Sequence, residues 1–333
     1  MKEYKIAVVN SSSFGKKFPR HLAELKEIGE LNFFVFDPEI SGKVLAQELQ
    51  GYNIIISSVT PFFTKEFFDN KDELLLISRH GIGYNNIDLK AAEKHNTIVS
   101  IVPPLVERDA VAEHNVSNLL NVMRKISESA QEVKEDRWEE RAKFVGHTLF
   151  NKTVGVIGVG NIGSCVAEIV RLGFRCDVLA YDPYKSKLDL DRFGAKKVDS
   201  LEELLPQCDV VCLCASLNAE NKYMIGESEV ALMKDGVYIS NSARGALVDE
   251  SAIVKGLESE KIAGYACDVL EVEPGRSDHP YLKYKNVSMT PHTGAYTYEC
   301  LEGMGDKCVA DVKNIVDGKL PDCTVQSFSK YIK

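Results

Sequence analysis

Short apolar runs alternate with amphipathic stretches along most of this chain. In the first hundred residues the runs at 6–9, 33–36, 54–57, 74–77 and 98–101 read as strands. Helical spacing of apolar positions appears around 22–28, 44–49 and 89–95. Strands that alternate with helices predict a parallel sheet covered on both faces, because each parallel crossover needs a helix-length segment. The stretch PPLVERD at 103–109 breaks this rhythm, and a helix is predicted from Ala110 to about Val133. The segment 134–152 is densely charged and holds the only tryptophan, Trp138. It reads either as an exposed arm whose Trp138 and Phe144 serve an interface, or as a helix folded back on its own domain. The alternation then resumes, with strands expected at 154–157, 178–181, 210–214, 237–241, 263–267 and 287–289. Helices are expected near 201–205, 229–233 and 251–257, and over the tail 298–316.

One stretch of this pattern carries chemistry. The run at 154–157 stops at Gly158, and Gly160 and Gly163 complete Gly-x-Gly-x-x-Gly. Ile162, Val166, Ile169 and Val170 follow at helical spacing, and a second apolar run ends at Asp182, 19 residues after Gly163. In a strand–turn–helix–strand unit, Gly158 makes the turn, Gly160 lets the backbone approach a pyrophosphate, and Gly163 lets the helix pack on the strand. The helix start offers free N–H groups and a positive dipole end to phosphate. Asp182 can accept from a ribose diol and would repel a 2′-phosphate, which points to NAD rather than NADP.

Length and composition narrow the field. With 333 residues, two domains are the natural expectation. No apolar run approaches the ~18 residues of a membrane span, and MKEYKIAVVN lacks the apolar core of a secretion signal. A net charge of −9 argues against nucleic acid and against an anionic membrane as partners. Nine cysteines without a Cys-x-x-Cys pair favour free thiols in the cytoplasm. Cys208, Cys212 and Cys214 flank or lie in a strand and read as core thiols, so no metal site is expected. His114 reads as structural. Phe62, Phe63, Phe67 and Phe68 read as core, with Phe62 or Phe63 as a candidate for a substrate pocket.

Four further candidates sit near strand ends, where open α/β sheets bind ligands. Arg244 in SNSARGALVDE can grip a carboxylate bidentately. Glu273 lies in ACDVLEVEP and His292 in MTPHTGAYT. The turn HGIGYNNID at 80–88 has two glycines that can present backbone N–H groups to an anion, or it is an ordinary turn with Asn86 or Asp88 capping the next helix. Together they fit one reaction. A hydride reaches a carbonyl carbon, and His292 as imidazolium gives the oxygen its proton. Glu273 stabilises that imidazolium, and Arg244 with the glycine turn holds a carboxylate.

HGIGYNNIDL, AVAEH at 110–114, the glycine fingerprint, SARG, ACDVLEVEP and TPHTGAYT stand in the order found in one family. The chain resembles the D-isomer-specific 2-hydroxyacid dehydrogenases, of the D-lactate and D-2-hydroxyisocaproate dehydrogenase type, over almost its whole length. The resemblance implies a Rossmann NAD-binding domain at 102–296, inserted into a flavodoxin-like substrate-binding domain made of 1–101 and 297–333. Both are doubly wound parallel-sheet α/β domains. It implies catalytic roles for Arg244, Glu273 and His292. For dinucleotide contacts it implies Asn161, Ile162, Asp182, Ala215, Ser216, Asn221, Ser242, Ala243 and Asp268, beside Gly158, Gly160 and Gly163. His80, Gly81, Ile82, Gly83 and Arg244 are implied for substrate. It further implies a homodimer built on the cofactor domain, a cleft that closes on substrate, and D stereochemistry.

Two departures stand out. Many members carry Thr-Pro-Gly-x-Asn ahead of Ala-Val-Ala-Glu, where this chain has Pro103, Pro104, Leu105, Val106 and Glu107. A strand that often ends His-Val-Pro ends here Cys214, Ala215, Ser216. Within the enzymes, phosphoglycerate and hydroxypyruvate/glyoxylate dehydrogenases are alternatives. The loop SSVTPFFT has no basic residue for a phosphate, which favours an uncharged substrate side chain. Formate as substrate is disfavoured, because Glu273 gives the histidine an ionisable partner that formate chemistry does not use. An NAD-sensing regulator of the corepressor type, on the same fold, is an alternative of another class.

Overall fold

The structure is a computed structural model and describes residues 4–326. The chain divides into two compact units, Met1–Glu107 with Tyr296–Lys333 and Arg108–Ala295.

The first unit carries β1 (Lys5–Val9), β2 (Glu30–Phe34), β3 (Ile54–Ser57), β4 (Leu76–Arg79) and β5 (Ile98–Ser100). They form one parallel sheet in the order β2-β1-β3-β4-β5, the flavodoxin-like winding. Alternate residues feed opposite faces. Ile6, Val8, Ile54, Ile56, Leu76 and Ile98 join a core with Leu25 and the C-terminal helix Tyr298–Val316, through Val309 and Val312. Ala7, Val9, Ile55, Ile77 and Val99 join one with Leu45, Phe63, Phe67 and Phe68. Because both faces are covered, the strands read as continuous apolar runs.

The second unit carries β6 (Thr153–Ile157), β7 (Asp177–Tyr181), β8 (Lys196–Lys197), β9 (Val210–Leu213), β10 (Val237–Asn241), β11 (Ile262–Cys267) and β12 (Val287–Met289). All pairs are parallel, in the order β12-β11-β10-β9-β6-β7-β8. The order reverses at β6, which has β7 on one side and β9 on the other. A doubly wound sheet opens its ligand crevice at the carboxyl ends of the strands there.

Several boundaries differ from the expected ones, for identifiable reasons. β2 runs 30–34, not 33–36. It is an edge strand whose extent is set by its register on β1, and Val35 beyond it is exposed. β4 runs 76–79, not 74–77. It ends in Ser78 and Arg79, polar residues that are buried because they are hydrogen-bonded. Apolar content alone cannot reveal such positions. The helix expected over 110–133 is two helices, Pro104–Arg124 and Ile126–Lys134. Pro104 opens the first of them, where its missing N–H costs nothing. Lys125, at φ 53°, ends it in the left-handed region. The short helices Lys65–Asn70 and Lys187–Asp191 were not expected.

The charged segment that follows forms a 3-10 helix, Trp138–Phe144, with no buried residue. Trp138 is 60% exposed, and Ile126, Val133, Val145 and Phe150 are exposed with it. Glu132 pairs with Arg137 and with Lys143, tying this helix to Ile126–Lys134. It is an exposed arm rather than a helix packed into its own core.

Candidate active site

In the second unit the candidate residues lie just past the carboxyl ends of six neighbouring strands. Gly158 follows β6 with φ +84°, and a Cβ added there would lie 2.5 Å from the Ala215 backbone. An added Cβ at Gly163 would lie 2.0 Å from the Gly158 carbonyl oxygen. The helix Asn161–Glu168 therefore packs on the turn in a way that no larger residue allows. Gly160 is its N-cap and contributes no side-chain cap, and a Cβ added at Gly160 meets nothing within 4 Å. The backbone at the start of that helix is thus open at Gly160, which fits a pyrophosphate approaching its first N–H groups.

Asp182, past β7, has its carboxylate fixed by two backbone donors. Val159 N–H donates to Oδ2 and Tyr184 N–H to Oδ1, each at 2.9 Å. Each oxygen keeps a lone pair for a further donor. Past β9, the Asn221 side chain donates to the Ser216 carbonyl and accepts from Asn218 N–H, which shapes the loop carrying Ala215 and Ser216. Past β10, Asn115 donates to Ser242 Oγ at 3.3 Å, and Asn241 Oδ1 accepts from Ala243 N–H. Arg244 Nη1 donates to the Ala243 carbonyl at 2.6 Å, and Asn241 Nδ2 donates to the Arg244 carbonyl.

Asp268, past β11, is the strut of this end of the sheet and is 2% exposed. Its Oδ1 accepts from Thr290 Oγ1 at 2.6 Å and from Thr293 N–H at 2.9 Å, and its Oδ2 accepts from Gly294 N–H at 2.8 Å. His114 Nε2 lies 3.3 Å from Oδ1. Burial pushes this carboxyl up, but the bonds from His114, Thr290 and Thr293 outweigh it, and it stays below the usual carboxylate range. His114 is therefore a structural residue, as its place on a helix suggested.

That strut positions His292. The residue sits at φ 54°, a conformation that costs a β-carbon residue ~1 kcal/mol or more. Its N–H donates to the Asp268 carbonyl at 2.8 Å and to the Thr290 carbonyl at 3.1 Å, which hold it there. The imidazole Nδ1 lies 2.8 Å from Glu273 Oε2. A carboxylate can only accept, so Nδ1 carries the proton and Nε2 is the nitrogen left to act on a substrate. Glu273 is itself oriented, because Leu270 N–H donates to its Oε1 at 3.0 Å. The side chains of His292 and Glu273 are 32% and 24% exposed, reachable yet half desolvated. Gly245 brings the Arg244 loop onto the same turn, since an added Cβ there would lie 1.9 Å from the Leu270 carbonyl carbon.

In the first unit the turn after β4 differs from its expected form. His80 is only 8% exposed and packs edge-on against Phe14, with ring centroids 5.3 Å apart. What the turn presents is backbone. Gly81 has φ +155°. Asp88 Oδ1 caps the helix Leu89–Lys94, whereas Asn86 donates to the Ser58 and Pro61 carbonyls and pins the loop carrying Phe62. Phe63, Phe67 and Phe68 are buried core, and Phe62 is 52% exposed. Two residues that sequence reasoning passed over brace this turn. Arg79 donates through Nε to the Gly83 carbonyl at 2.5 Å and through Nη1 to the Ser57 carbonyl at 2.9 Å. Glu107 Oε1 accepts from Ile82 N–H at 3.0 Å. An arginine two residues ahead of a Gly-x-Gly turn was the available signal.

The nine cysteines are free thiols. Cys208 donates to the Leu204 carbonyl, and burial pushes its thiol up to about 12. Among the described residues, no group of three or more His, Cys, Asp or Glu could hold a metal ion. No helix there is long and apolar enough to cross a membrane.

A glycine-turn dinucleotide fold with an arginine and a glutamate–histidine pair at its strand ends defines a class, the nicotinamide-dependent oxidoreductases. The sequence comparisons name the family. A family model described as "D-isomer specific 2-hydroxyacid dehydrogenase, NAD binding domain" matches residues 116–294. The chain belongs to that family, and this segment is its NAD-binding domain. A D-3-phosphoglycerate dehydrogenase from Archaeoglobus fulgidus is 36% identical over 84% of the chain and 52% of its own length. The chain thus spans about half of that relative. A glyoxylate reductase from Thermococcus litoralis is 33% identical over 84% of the chain and 85% of its own length. The crystal structure of a D-lactate dehydrogenase from Aquifex aeolicus, complexed with NAD and lactic acid, superposes with a TM-score of 0.84 at 29% identity. That match covers 97% of this chain and 100% of the other.

Proposed function

We propose that this protein reduces 2-keto acids to D-2-hydroxy acids with NADH, and runs the reverse reaction with NAD. The observation that carries the reading is the Glu273–His292 pair at 2.8 Å, held at the sheet end that also bears the glycine turn. The N–H groups of Asn161 and Ile162 bind the cofactor pyrophosphate. Asp182 takes the adenosine ribose diol, and Ala215, Ser216, Asn221, Ser242, Ala243 and Asp268 shape the rest of its bed. Bound NADH supplies a hydride to the carbonyl carbon of the substrate. Arg244 grips the substrate carboxylate and polarises its carbonyl. The backbone donors at Gly81, Ile82 and Gly83 are likewise assigned to a substrate carboxylate.

The proton moves at a stated atom. Protonated His292 gives the Nε2 proton to the carbonyl oxygen as it becomes a hydroxyl. The ring is left neutral, with its Nδ1–H still donated to Glu273. In the reverse direction Nε2 takes the hydroxyl proton. The substrate side chain is read as uncharged and larger than a hydrogen, with Phe62 exposed to meet it. The arm around Trp138 is assigned to a second copy of the chain, giving a homodimer, and the nine free thiols suit a cytoplasmic enzyme.

The test is NADH oxidation by the full chain with pyruvate, glyoxylate, phenylpyruvate, 2-ketoisocaproate and phosphohydroxypyruvate. The expected result is turnover, with NADPH much poorer than NADH and with phenylpyruvate or 2-ketoisocaproate ahead of glyoxylate. No turnover with any of them would sink the enzyme reading in favour of an NAD-sensing regulator. Glyoxylate in the lead would sink the reading of the side chain. For the dimer, light scattering should give a dimer mass for wild type and a smaller one for Trp138→Asp; a monomeric wild type contradicts it.

A further inference from the structure

The turn at 80–83 already holds a carboxylate oxygen, and that oxygen belongs to the chain itself. Glu107 Oε1 accepts from Ile82 N–H at 3.0 Å. A Cβ added at Gly81 would lie 3.6 Å from the same oxygen and 3.1 Å from Arg79 Nη2, so a carboxylate and a buried guanidinium flank the turn together.

We propose that Glu107 is a built-in competitor for the substrate carboxylate. It occupies the Ile82 N–H until a 2-keto acid displaces it, and so sets the affinity of the site for carboxylates. The proposal rests on the assignment of the 80–83 turn to the substrate carboxylate. The chemistry of exchange is balanced, since one carboxylate oxygen leaves a backbone N–H as another arrives and no bond to carbon changes. A charge-assisted hydrogen bond is roughly twice as strong as a neutral one, so the anionic form of the competitor is costly to displace. Its charge also repels the arriving anion at close range. Arg79 is committed to the Gly83 and Ser57 carbonyls and keeps the turn in shape while Glu107 leaves.

Glu107→Gln separates this role from that of a simple brace. The amide oxygen can still accept from Ile82 N–H, but without charge. The probe is oxamate, a carboxylate that cannot be reduced, titrated by calorimetry into the full chain with NADH present. A competitor predicts that oxamate binds the Gln variant about three- to tenfold more tightly than wild type, and that the gain for 2-keto acids appears in KM. A brace predicts equal binding, because its hydrogen bond survives. Equal or weaker binding overturns the proposal, as does a wild type and variant that both fail to bind oxamate. If the Gln variant does not melt like wild type, Glu107→Ala decides by the same criterion. A wild type that binds oxamate but reduces no 2-keto acid would refute the enzymatic reading alone. Turnover without tightening in the variant would refute the competitor alone.

Discussion

The strand ends of the second unit and the turn after β4 in the first are both built to present polar groups, and they are built differently. In the second unit one buried carboxylate, Asp268, gathers Thr290, Thr293, Gly294 and His114 around itself and holds His292 in a left-handed conformation. Arg244, Glu273 and His292, the residues assigned to a ligand above, each have a fixed hydrogen bond behind them. In the first unit a buried guanidinium, Arg79, shapes the turn through main-chain carbonyls, and a donor the turn could offer is engaged by Glu107. The first arrangement is preorganised for chemistry. The second is braced in shape but has its own chain seated where a ligand's carboxylate is proposed to bind. Preorganisation and availability are therefore separate properties, and mutations can separate them.

The largest expected effect is at the preorganised end. His292→Ala should lower kcat/KM for 2-keto acid reduction by about 10²–10⁴-fold, the usual worth of a positioned acid–base. A loss under tenfold would mean that the proton comes from elsewhere. Next comes the strut. Asp268→Asn replaces an acceptor-only group with an amide whose NH₂ must face an N–H donor. It should destabilise the second unit by about 2–4 kcal/mol, read as a lower denaturation midpoint in urea. An unchanged midpoint would show that the network around Asp268 carries no stability.

The first unit should respond to acid instead. Burial, helped by the charges of Arg79, His21 and Lys307, holds the His80 ring neutral until about pH 3, against an ordinary 6.5. Between those values the unfolded chain binds the extra proton and the folded chain does not. Stability should therefore fall as pH drops below about 6.5, by about 2 kcal/mol at pH 5 from this residue alone. His80→Gln should flatten that part of the melting-temperature profile. If the variant keeps the wild-type acid slope, His80 is not its source.

How far the sequence revealed these regions follows the same division. β6, β10 and β12, the glycine turn and the last helix stand where apolar periodicity and glycine spacing put them; β6 and β10 are almost wholly buried, and Gly158 and Gly163 have no room for a side chain. Arg244, Glu273 and His292 were singled out because motifs surround them, and the structure puts all three at strand ends of the same sheet. The role of Asp268 as a strut could not, since it depends on donors from residues 114, 290, 293 and 294 meeting in space. β4 was misplaced because it buries Ser78 and Arg79. Glu107 was named only as part of the stretch 103–107; its role could not be read because its partner, Ile82 N–H, is backbone and leaves no trace in side-chain chemistry.

The central claim is that Glu273 and His292 act as one proton-handling pair. Its most direct test is a pair of pH–rate profiles, wild type and Glu273→Gln, for reduction and for oxidation, taken where chemistry limits turnover. Gln keeps the shape and the acceptor but removes the charge that favours imidazolium. The alkaline fall of the reduction profile should move to lower pH, because His292 loses its proton sooner. The acid limb of the oxidation profile should move the same way, because the neutral base persists to lower pH. Profiles that coincide with wild type in both directions would contradict the account, whatever the overall rate of the variant.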